Sequence, residues 1–417
     1  MNGNFTQYIN DSVWNVEEDS DEDNELRDSL AFLNDPSTFR PFSEGLTQLL
    51  ERCGYQKEDS EPEEKAAYVL QRFKESEIKI SKQTVKGWFS GKRRPDTSAK
   101  SRTKMYQLCF VLHASYEDTC WFFHHVYFGR CFNCHVAEEA VYLYCFRNGY
   151  DYRKSEQLIA RIPNVDLGDD RERLYTNEIK ESIQNISTDE ELFEFFTKNA
   201  ASFGEWNVSA QNMIEILLKD IKGSEADKIV LDKMKKDIRS VGYVRINSSE
   251  YKLSDCGLIT KEIFHSMQGE PELLLDKISD IDTSKLSYDF VLNHIFDAKG
   301  TVKKTAVLPE IVRTNFPART SFQMINRILT SNSYDSIRKF LIFLKFYHFW
   351  CNWKLNTPEA ECPYDLFLDE MNDLLYNCGY DDLFAGNPYD WLFMKASTMP
   401  EPLDFFRDAM SEILNTD

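Results

Sequence analysis

Residues 80–104 read ISKQTVKGWFSGKRRPDTSAKSRTK. Ser81 is a good N-cap, because its hydroxyl can accept a hydrogen bond from a free backbone N–H of the first helical turn. Val85 and Trp88 stand three positions apart and share one face, which can anchor the helix to its neighbours. Gly91 suits the C′ position that ends a helix, and Pro95 prevents a further helix close behind it. The stretch therefore predicts a short helix from Ser81 to Ser90, followed by a basic loop.

Two predicted helices precede this one. Phe42, Leu46, Leu49 and Leu50 form one helical face, and an Ala-rich helix starting near Pro62 is followed by a turn over residues 75–80. This order predicts a helix-turn-helix, whose second helix would enter a DNA major groove by its N-terminal end. Gln83 is suited to adenine, which offers an acceptor and a donor side by side. The residues that we expect to contact DNA are Ser81, Lys82, Gln83, Thr84, Lys86, Lys92, Arg93, Arg94, Lys100 and Arg102.

The charge distribution favours this interpretation, although the total charge does not. The chain of 417 residues has a formal net charge of −20. Residues 79–104 nevertheless carry nine Lys and Arg against Asp96 alone. A basic cluster within an acidic molecule is the electrostatic signature of a local nucleic-acid contact.

Residues 42–112 resemble the Cro/repressor-like (XRE-type) helix-turn-helix domain, on the motif S-x-x-T-V-x-x-W-x-x-G-x-x-x-P from Ser81 to Pro95. The resemblance implies that Ser81, Lys82, Gln83, Thr84 and Lys86 face DNA, and that residues 91–94 lie near backbone phosphate. It also implies that Val85 and Trp88 pack in the interior. As a whole, the chain looks like large regulators of Gram-positive bacteria and their mobile elements.

The predicted fold class is all-α. We expect a disordered acidic tail over residues 1–31, a helix-turn-helix domain with a helical extension over 32–162, a helical middle domain over 174–297 and a helical C-terminal domain over 298–417. Residues 240–255 predict a short hairpin. Residues 321–330 align with 81–90 and predict a second, degenerate helix-turn-helix-like unit, with Arg313, Arg319, Arg327, Arg338 and Lys339 nearby. The acidic tail is either a solvating segment or a segment that folds over the basic stretch and competes with phosphate.

The motifs of common enzymes and cofactor sites are weak here. Cys131-Phe-Asn-Cys134-His135 spells the haem-attachment string C-x-x-C-H, but no export signal is evident. A zinc site with His124, His125 or Cys120 is an alternative, and ordinary packing is favoured over both. No Gly-rich phosphate loop, H-E-x-x-H or G-x-S-x-G string occurs, so we expect no enzyme activity, metal or cofactor.

The sequence thus predicts a cytoplasmic, sequence-specific DNA-binding transcriptional regulator whose partner is double-stranded DNA. The ten cysteines lie among apolar residues, as free buried thiols do in a reducing compartment, and no membrane association is expected. Symmetric operators favour a homodimer, which would have to pair through globular surfaces. The alternative is an acidic protein-binding factor of a mobile element or defence locus, which uses the helix-turn-helix as a scaffold to bind a basic protein.

Overall fold

The fold class is all-α, as predicted. The computed structural model describes residues 12–13, 22–35, 37–56, 60–95, 98–162, 174, 176–203, 208–222, 227, 229–230, 232–233, 244–246, 249–262, 330, 334–356 and 363–414. Within these ranges the chain is helical apart from one two-stranded hairpin. None of the helices in these ranges combines the length and the apolarity that crossing a bilayer would require.

Eleven helices come before the hairpin in the described part of the chain. They are α1 (Glu22–Asn34), α2 (Phe42–Arg52), α3 (Pro62–Glu75), α4 (Lys82–Phe89), α5 (Ala99–Val111), α6 (Tyr116–Phe122), α7 (Ala137–Asn148), α8 (Tyr152–Ile159), α9 (Thr176–Asn185), α10 (Asp189–Lys198) and α11 (Val208–Lys222). A π-helical turn, Phe123–Tyr127, continues α6, and a 3₁₀ turn, Ala200–Ser202, follows α10.

The hairpin pairs β1 (Val244–Ile246) with β2 (Ser249–Tyr251), which confirms the predicted hairpin. The strands are antiparallel, and Val244 is paired with Tyr251. A 3₁₀ turn, Leu253–Asp255, follows it, and four further helices then complete the described chain: α12 (Tyr334–Asn356), α13 (Tyr364–Asn377), α14 (Pro388–Ala396) and α15 (Pro402–Leu414).

Local capping explains where many of these helices begin. The side chains of Ser81, Ser98 and Ser115 each accept a hydrogen bond from a backbone N–H of the first turn of α4, α5 and α6. Thr188 and Glu191 form a reciprocal capping box at the start of α10. Pro62 and Pro388 stand in the first turn of their helices, where no backbone N–H is needed.

The helices pack around two hydrophobic cores, whose membership differs from the predicted domains. The first core extends from Phe42 to Phe203 and includes apolar residues of α9 and α10, such as Ile183 and Phe196. The second core begins at Val13 and Leu33 and continues with α11 and the helices after residue 330. Of the residues predicted to form a middle domain over 174–297, α9 and α10 pack on the N-terminal unit, whereas α11 packs on α12.

Part of the acidic tail predicted over residues 1–31 lies among the described residues. Residues 22–34 form α1, and the buried carboxylate of Glu25 lies 3.2 Å from the buried ammonium of Lys395. The indole of Trp391 donates a hydrogen bond to Ser12. These contacts place the described part of the acidic segment on the second core, rather than over the basic stretch.

The second helix-turn-helix-like unit cannot be followed in full. Residues 305–329, with Arg313, Arg319 and Arg327, lie outside the described residues. Arg338 and Lys339 belong to α12 and are buried, so a DNA contact by these two side chains is ruled out in this arrangement.

Candidate nucleic-acid interface

Helix α4 is held against the first core by one apolar face. Val85, Trp88 and Phe89 are buried, and the Trp88 ring meets Phe42 of α2 edge-on at 6.2 Å. The Ser81 hydroxyl accepts a hydrogen bond from the N–H of Thr84 at 3.3 Å, as the sequence predicted. The helix packs against both α2 and α3, so its buried face determines which side chains remain outside.

The turn between α3 and α4 has a defined geometry. After the last turn of α3, the N–H of Ile78 bonds to the carbonyl of Phe73 and the N–H of Glu77 bonds to that of Lys74. These two bonds form a Schellman motif, with Glu77 in the left-handed region at φ +60°. The motif ends α3 abruptly and lets the chain enter α4 only a few residues later.

The outer face of α4 carries the residues predicted to read DNA. Ser81, Lys82, Gln83 and Lys86 are exposed, and Thr84 is half-buried. All of these residues except Lys86, which lies in the last turn, belong to the N-terminal end of α4, where the helix dipole also favours an anion. This face can therefore offer both donors for phosphate and an amide for a base edge.

The loop after α4 carries a second set of exposed cations. Gly91 has a φ of +68°, which is the left-handed conformation expected at C′. The chain then turns back, and the N–H of Arg93 donates a hydrogen bond of 3.0 Å to the carbonyl of Gly87. A Cβ on Gly87 would lie 2.9 Å from Cδ of Arg93, so the stem of Arg93 rests directly on the helix at this glycine. Lys92 and Arg93 are both exposed.

Arg102 is a correction to the predicted set. Only 3% of this residue is exposed. Its guanidinium bonds to the Glu139 carboxylate at 2.6 and 2.8 Å and lies 3.3 Å from Asp335. Burial lowers the pKa of Arg102, whereas Glu139, Tyr106 and Asp335 together raise that pKa well above its ordinary value. Arg102 is thus a permanently charged structural residue between the two cores, and it is unavailable to DNA.

Arg94 is likewise engaged by the protein. It is half-buried and donates hydrogen bonds to the carbonyls of Val126 and Tyr127, at 3.0 and 3.3 Å. Its guanidinium also lies 5.0 Å from the centre of the Phe128 ring. A phosphate contact by Arg94 would compete with these bonds, so we assign it to the attachment of the basic loop rather than to DNA.

The exposed cations of residues 79–104 form the exposed basic surface, which comprises Lys79, Lys82, Lys86, Lys92, Arg93 and Lys100. Exposed carboxylates in the described part of residues 75–100 are Glu75 and Glu77, while Asp96 lies outside the described residues. Lys79 belongs to the basic run but is absent from the residues that we expected to contact DNA. Its position just before the start of α4 is the signal that could have identified it as a contact. The exposed side chains of this part of the chain therefore comprise six cations and two carboxylates, a surplus of four positive charges.

The C-x-x-C-H string is part of the first core. Cys131 and Cys134 are buried, and burial raises the pKa of Cys134 to about 12, so its thiol stays protonated at neutral pH. Nδ1 of His135 lies 2.8 Å from the carbonyl oxygen of Ser202. Within the described ranges, no three His, Cys, Asp or Glu side chains are grouped as metal ligands would be. The nine described cysteines are free, and seven of them are buried.

Comparison of the chain with protein-family models, with curated proteins and with solved structures gives no match. The functional assignment therefore depends on the chemistry of the exposed basic surface.

Proposed function

We propose that the chain is a sequence-specific DNA-binding transcriptional regulator, with α4 as the helix that enters the major groove. The observation that carries this proposal is the exposed face of α4, where Lys82 and Gln83 lie in the first turn and Lys86 in the last turn, while Val85 and Trp88 are buried. Lys92, Arg93 and Lys100 extend the same positive charge beyond the helix. Such a surface suits a groove lined on both sides by phosphate.

The two sets of residues would have different tasks. Lys92, Arg93 and Lys100 would neutralise phosphate, which supplies affinity for any DNA and makes binding sensitive to salt. Gln83 would read a base edge, because its side chain carries a donor and an acceptor. The acidic remainder of the molecule would repel DNA and limit the contact to this surface.

The first experiment is selection of genomic DNA fragments by the purified full chain at two salt concentrations. We expect one enriched sequence and a steep loss of affinity with salt. A palindromic sequence would indicate that a dimer binds. Retention of fragments without enrichment would contradict sequence-specific readout.

Variants then separate phosphate contact from base readout. We expect Lys92→Gln with Arg93→Gln to weaken binding to all sequences and to reduce the salt slope by about two. Gln83→Ala should cost about 1–3 kcal/mol at one base pair and leave other sequences nearly unaffected. The matched control, Lys198→Gln with Lys219→Gln, removes two exposed lysines from α10 and α11 and should change neither quantity.

The second candidate is an acidic factor that binds a basic protein and uses these helices as a scaffold. The net charge of −20 favours it, as do exposed apolar side chains such as Ile216 and Leu366. The same selection experiment separates the two candidates. Failure to retain any DNA at low salt, also after removal of residues 1–21, would favour the protein partner.

A further inference from the structure

Two cysteine thiols of the first core lie next to each other and are not joined by a disulfide. Cys120 lies in the last turn of α6, and Cys131 lies in the loop between the π-helical turn and α7. The two thiols are free and interact through a hydrogen bond. We call these two residues the thiol pair. Cys120 is half-buried and Cys131 is buried, so the pair joins a sulfur that a small molecule can reach to one that is enclosed.

An aromatic contact holds α6 against the loop that contains Cys131. Tyr116 lies one helical turn before Cys120, and its ring is stacked on that of Phe132, with 6.1 Å between the ring centres and 4° between their planes. The Tyr116 hydroxyl accepts a hydrogen bond of 3.1 Å from the side chain of Gln184 on α9 and itself interacts with the sulfur of Cys120. The proximity of the thiol pair therefore follows from the packing of α6, α9 and the loop.

Cys120 is the described cysteine best suited to react as a thiolate, which is the nucleophilic form. The hydrogen bond from Cys131 lowers its pKa, burial raises it, and Tyr116 and Lys180 lower it further, so that this pKa lies below its ordinary value. Burial raises the pKa of each of the other eight described cysteines. Cys53, the other half-buried cysteine, has a pKa raised to about 12.

The thiol pair also has the freedom that a disulfide requires. The two sulfurs would have to approach to about 2.05 Å, which is closer than a hydrogen bond brings them. Cys131 belongs to no helix, so its side chain and backbone can adjust without loss of helical hydrogen bonds. An accessible thiol of low pKa beside a second thiol is the arrangement found at cysteines that are oxidised reversibly.

We propose that the thiol pair is a site of reversible oxidation by peroxides, at which Cys120 reacts first and Cys131 then closes a disulfide. In the first step the Cys120 thiolate attacks one oxygen of hydrogen peroxide. An S–O bond forms and the O–O bond breaks. The sulfur keeps one hydroxyl as a sulfenic acid, and the departing hydroxide takes up a proton and leaves as water.

In the second step the sulfur of Cys131 attacks the sulfenic sulfur of Cys120. An S–S bond forms, the S–O bond breaks, and the hydroxyl leaves as water with the proton of the Cys131 thiol. The two thiols together lose two electrons, and the peroxide gains them. A thiol reductant restores both cysteines by exchange with the disulfide.

The position of Cys131 connects this oxidation to the contact between the two cores. The carbonyl of Cys131 accepts hydrogen bonds from Tyr106 and, at 3.1 Å, from Arg102. Arg102 in turn pairs with Asp335 of α12. A disulfide would therefore move a residue that supports this contact. The inference is independent of the proposed DNA-binding function, and its test uses no DNA.

The test treats the purified full chain with hydrogen peroxide, blocks the remaining thiols with N-ethylmaleimide and digests the chain with trypsin. Trypsin cleaves after Arg130, between the two cysteines, so a disulfide appears in mass spectrometry as two linked peptides whose fragmentation assigns the joined sulfurs. We expect a link between Cys120 and Cys131 that dithiothreitol removes. Absence of this link after oxidation, or an equal yield of a link between other cysteines, would overturn the proposal.

Variants establish the order of the two steps. Cys131→Ser should abolish the link and leave a sulfenic acid on Cys120, which dimedone labels, whereas Cys120→Ser should abolish the link and leave Cys131 unlabelled. The matched control, Cys53→Ser, removes the other half-buried thiol and should leave the link unchanged. Labelling of Cys131 in Cys120→Ser, without labelling of Cys120 in Cys131→Ser, would overturn the assigned order. The link itself is measured in the wild-type chain, so its test does not depend on the folding of a variant.

Discussion

Lys100 and Arg102 stand two positions apart in one basic run but have opposite environments. Both belong to the first turns of α5, where a step of two residues rotates a side chain by about 200°. Lys100 consequently faces outward, and Arg102 faces the junction between the cores. The charge of the first is available to a partner, whereas the charge of the second is neutralised by Glu139 and Asp335.

This contrast gives a paired prediction. Arg102→Met should lower the free energy of unfolding by about 3–5 kcal/mol, because two carboxylates remain buried without their cation. Lys100→Met should change it by no more than about 0.5 kcal/mol, since the side chain is exposed. Urea unfolding followed by circular dichroism measures both. A larger loss for Lys100→Met than for Arg102→Met would contradict the assigned environments.

The turn between α3 and α4 depends on a backbone conformation that glutamate adopts at a cost. Glu77 occupies the C′ position of the Schellman motif at φ +60°, where glycine is ordinarily preferred. The neighbouring Ser76 has a φ of −85°, which any residue tolerates. A glycine at position 77 and a glycine at position 76 should therefore change the free energy of unfolding differently.

Glycine substitutions at these positions should act in opposite directions. Glu77→Gly should raise the free energy of unfolding by about 0.5–1 kcal/mol, because relief of the left-handed conformation outweighs the added freedom of the unfolded chain. Ser76→Gly should lower it by about 0.5–1 kcal/mol, since there only the added freedom counts. Midpoints of thermal unfolding measure both changes. Destabilisation by Glu77→Gly would show that its carboxylate has a structural partner.

The molecule as a whole combines two cores with a polar junction, and this junction includes histidines that are neutral when folded. Burial, together with the charge of the neighbouring His124, lowers the pKa of His125 to about 4. Burial also lowers the pKa of His124 and of His348 on α12. In the unfolded chain these side chains titrate near 6.5.

The folded protein should therefore lose stability in mild acid. Between pH 6.5 and about 4 the unfolded chain binds protons that the folded chain does not, so the free energy of unfolding falls as the pH falls. Carboxylates with lowered pKa values, such as Glu191, act only at lower pH. We expect the urea midpoint to decrease from pH 7 to pH 5, and His125→Gln to reduce this decrease. An unchanged pH dependence in the variant would exclude His125 as a contributor.

Local signals in the sequence predicted the helices and the exposed face of α4. Ser81, Gly91 and the spacing of Val85 and Trp88 were sufficient for the start, the end and the buried side of that helix. The all-helical fold, the hairpin around residues 244–251 and the free cysteines follow from similar short-range patterns. The prediction that this face contacts DNA remains to be tested by the experiments above.

Only the tertiary structure decided which core each helix joins and which charges are buried. Asp335, one partner of Arg102, lies 233 positions away, and Lys395, the partner of Glu25, comes from the opposite end of the chain. The sequence identified Arg102 as a cation and Glu25 as a carboxylate. It identified neither the partner nor the burial of these two side chains. The physical reason is that helix caps and hydrophobic periodicity depend on residues within a few positions of each other. Burial depends on the surface that packs against a side chain, and residues at any distance along the chain can form that surface.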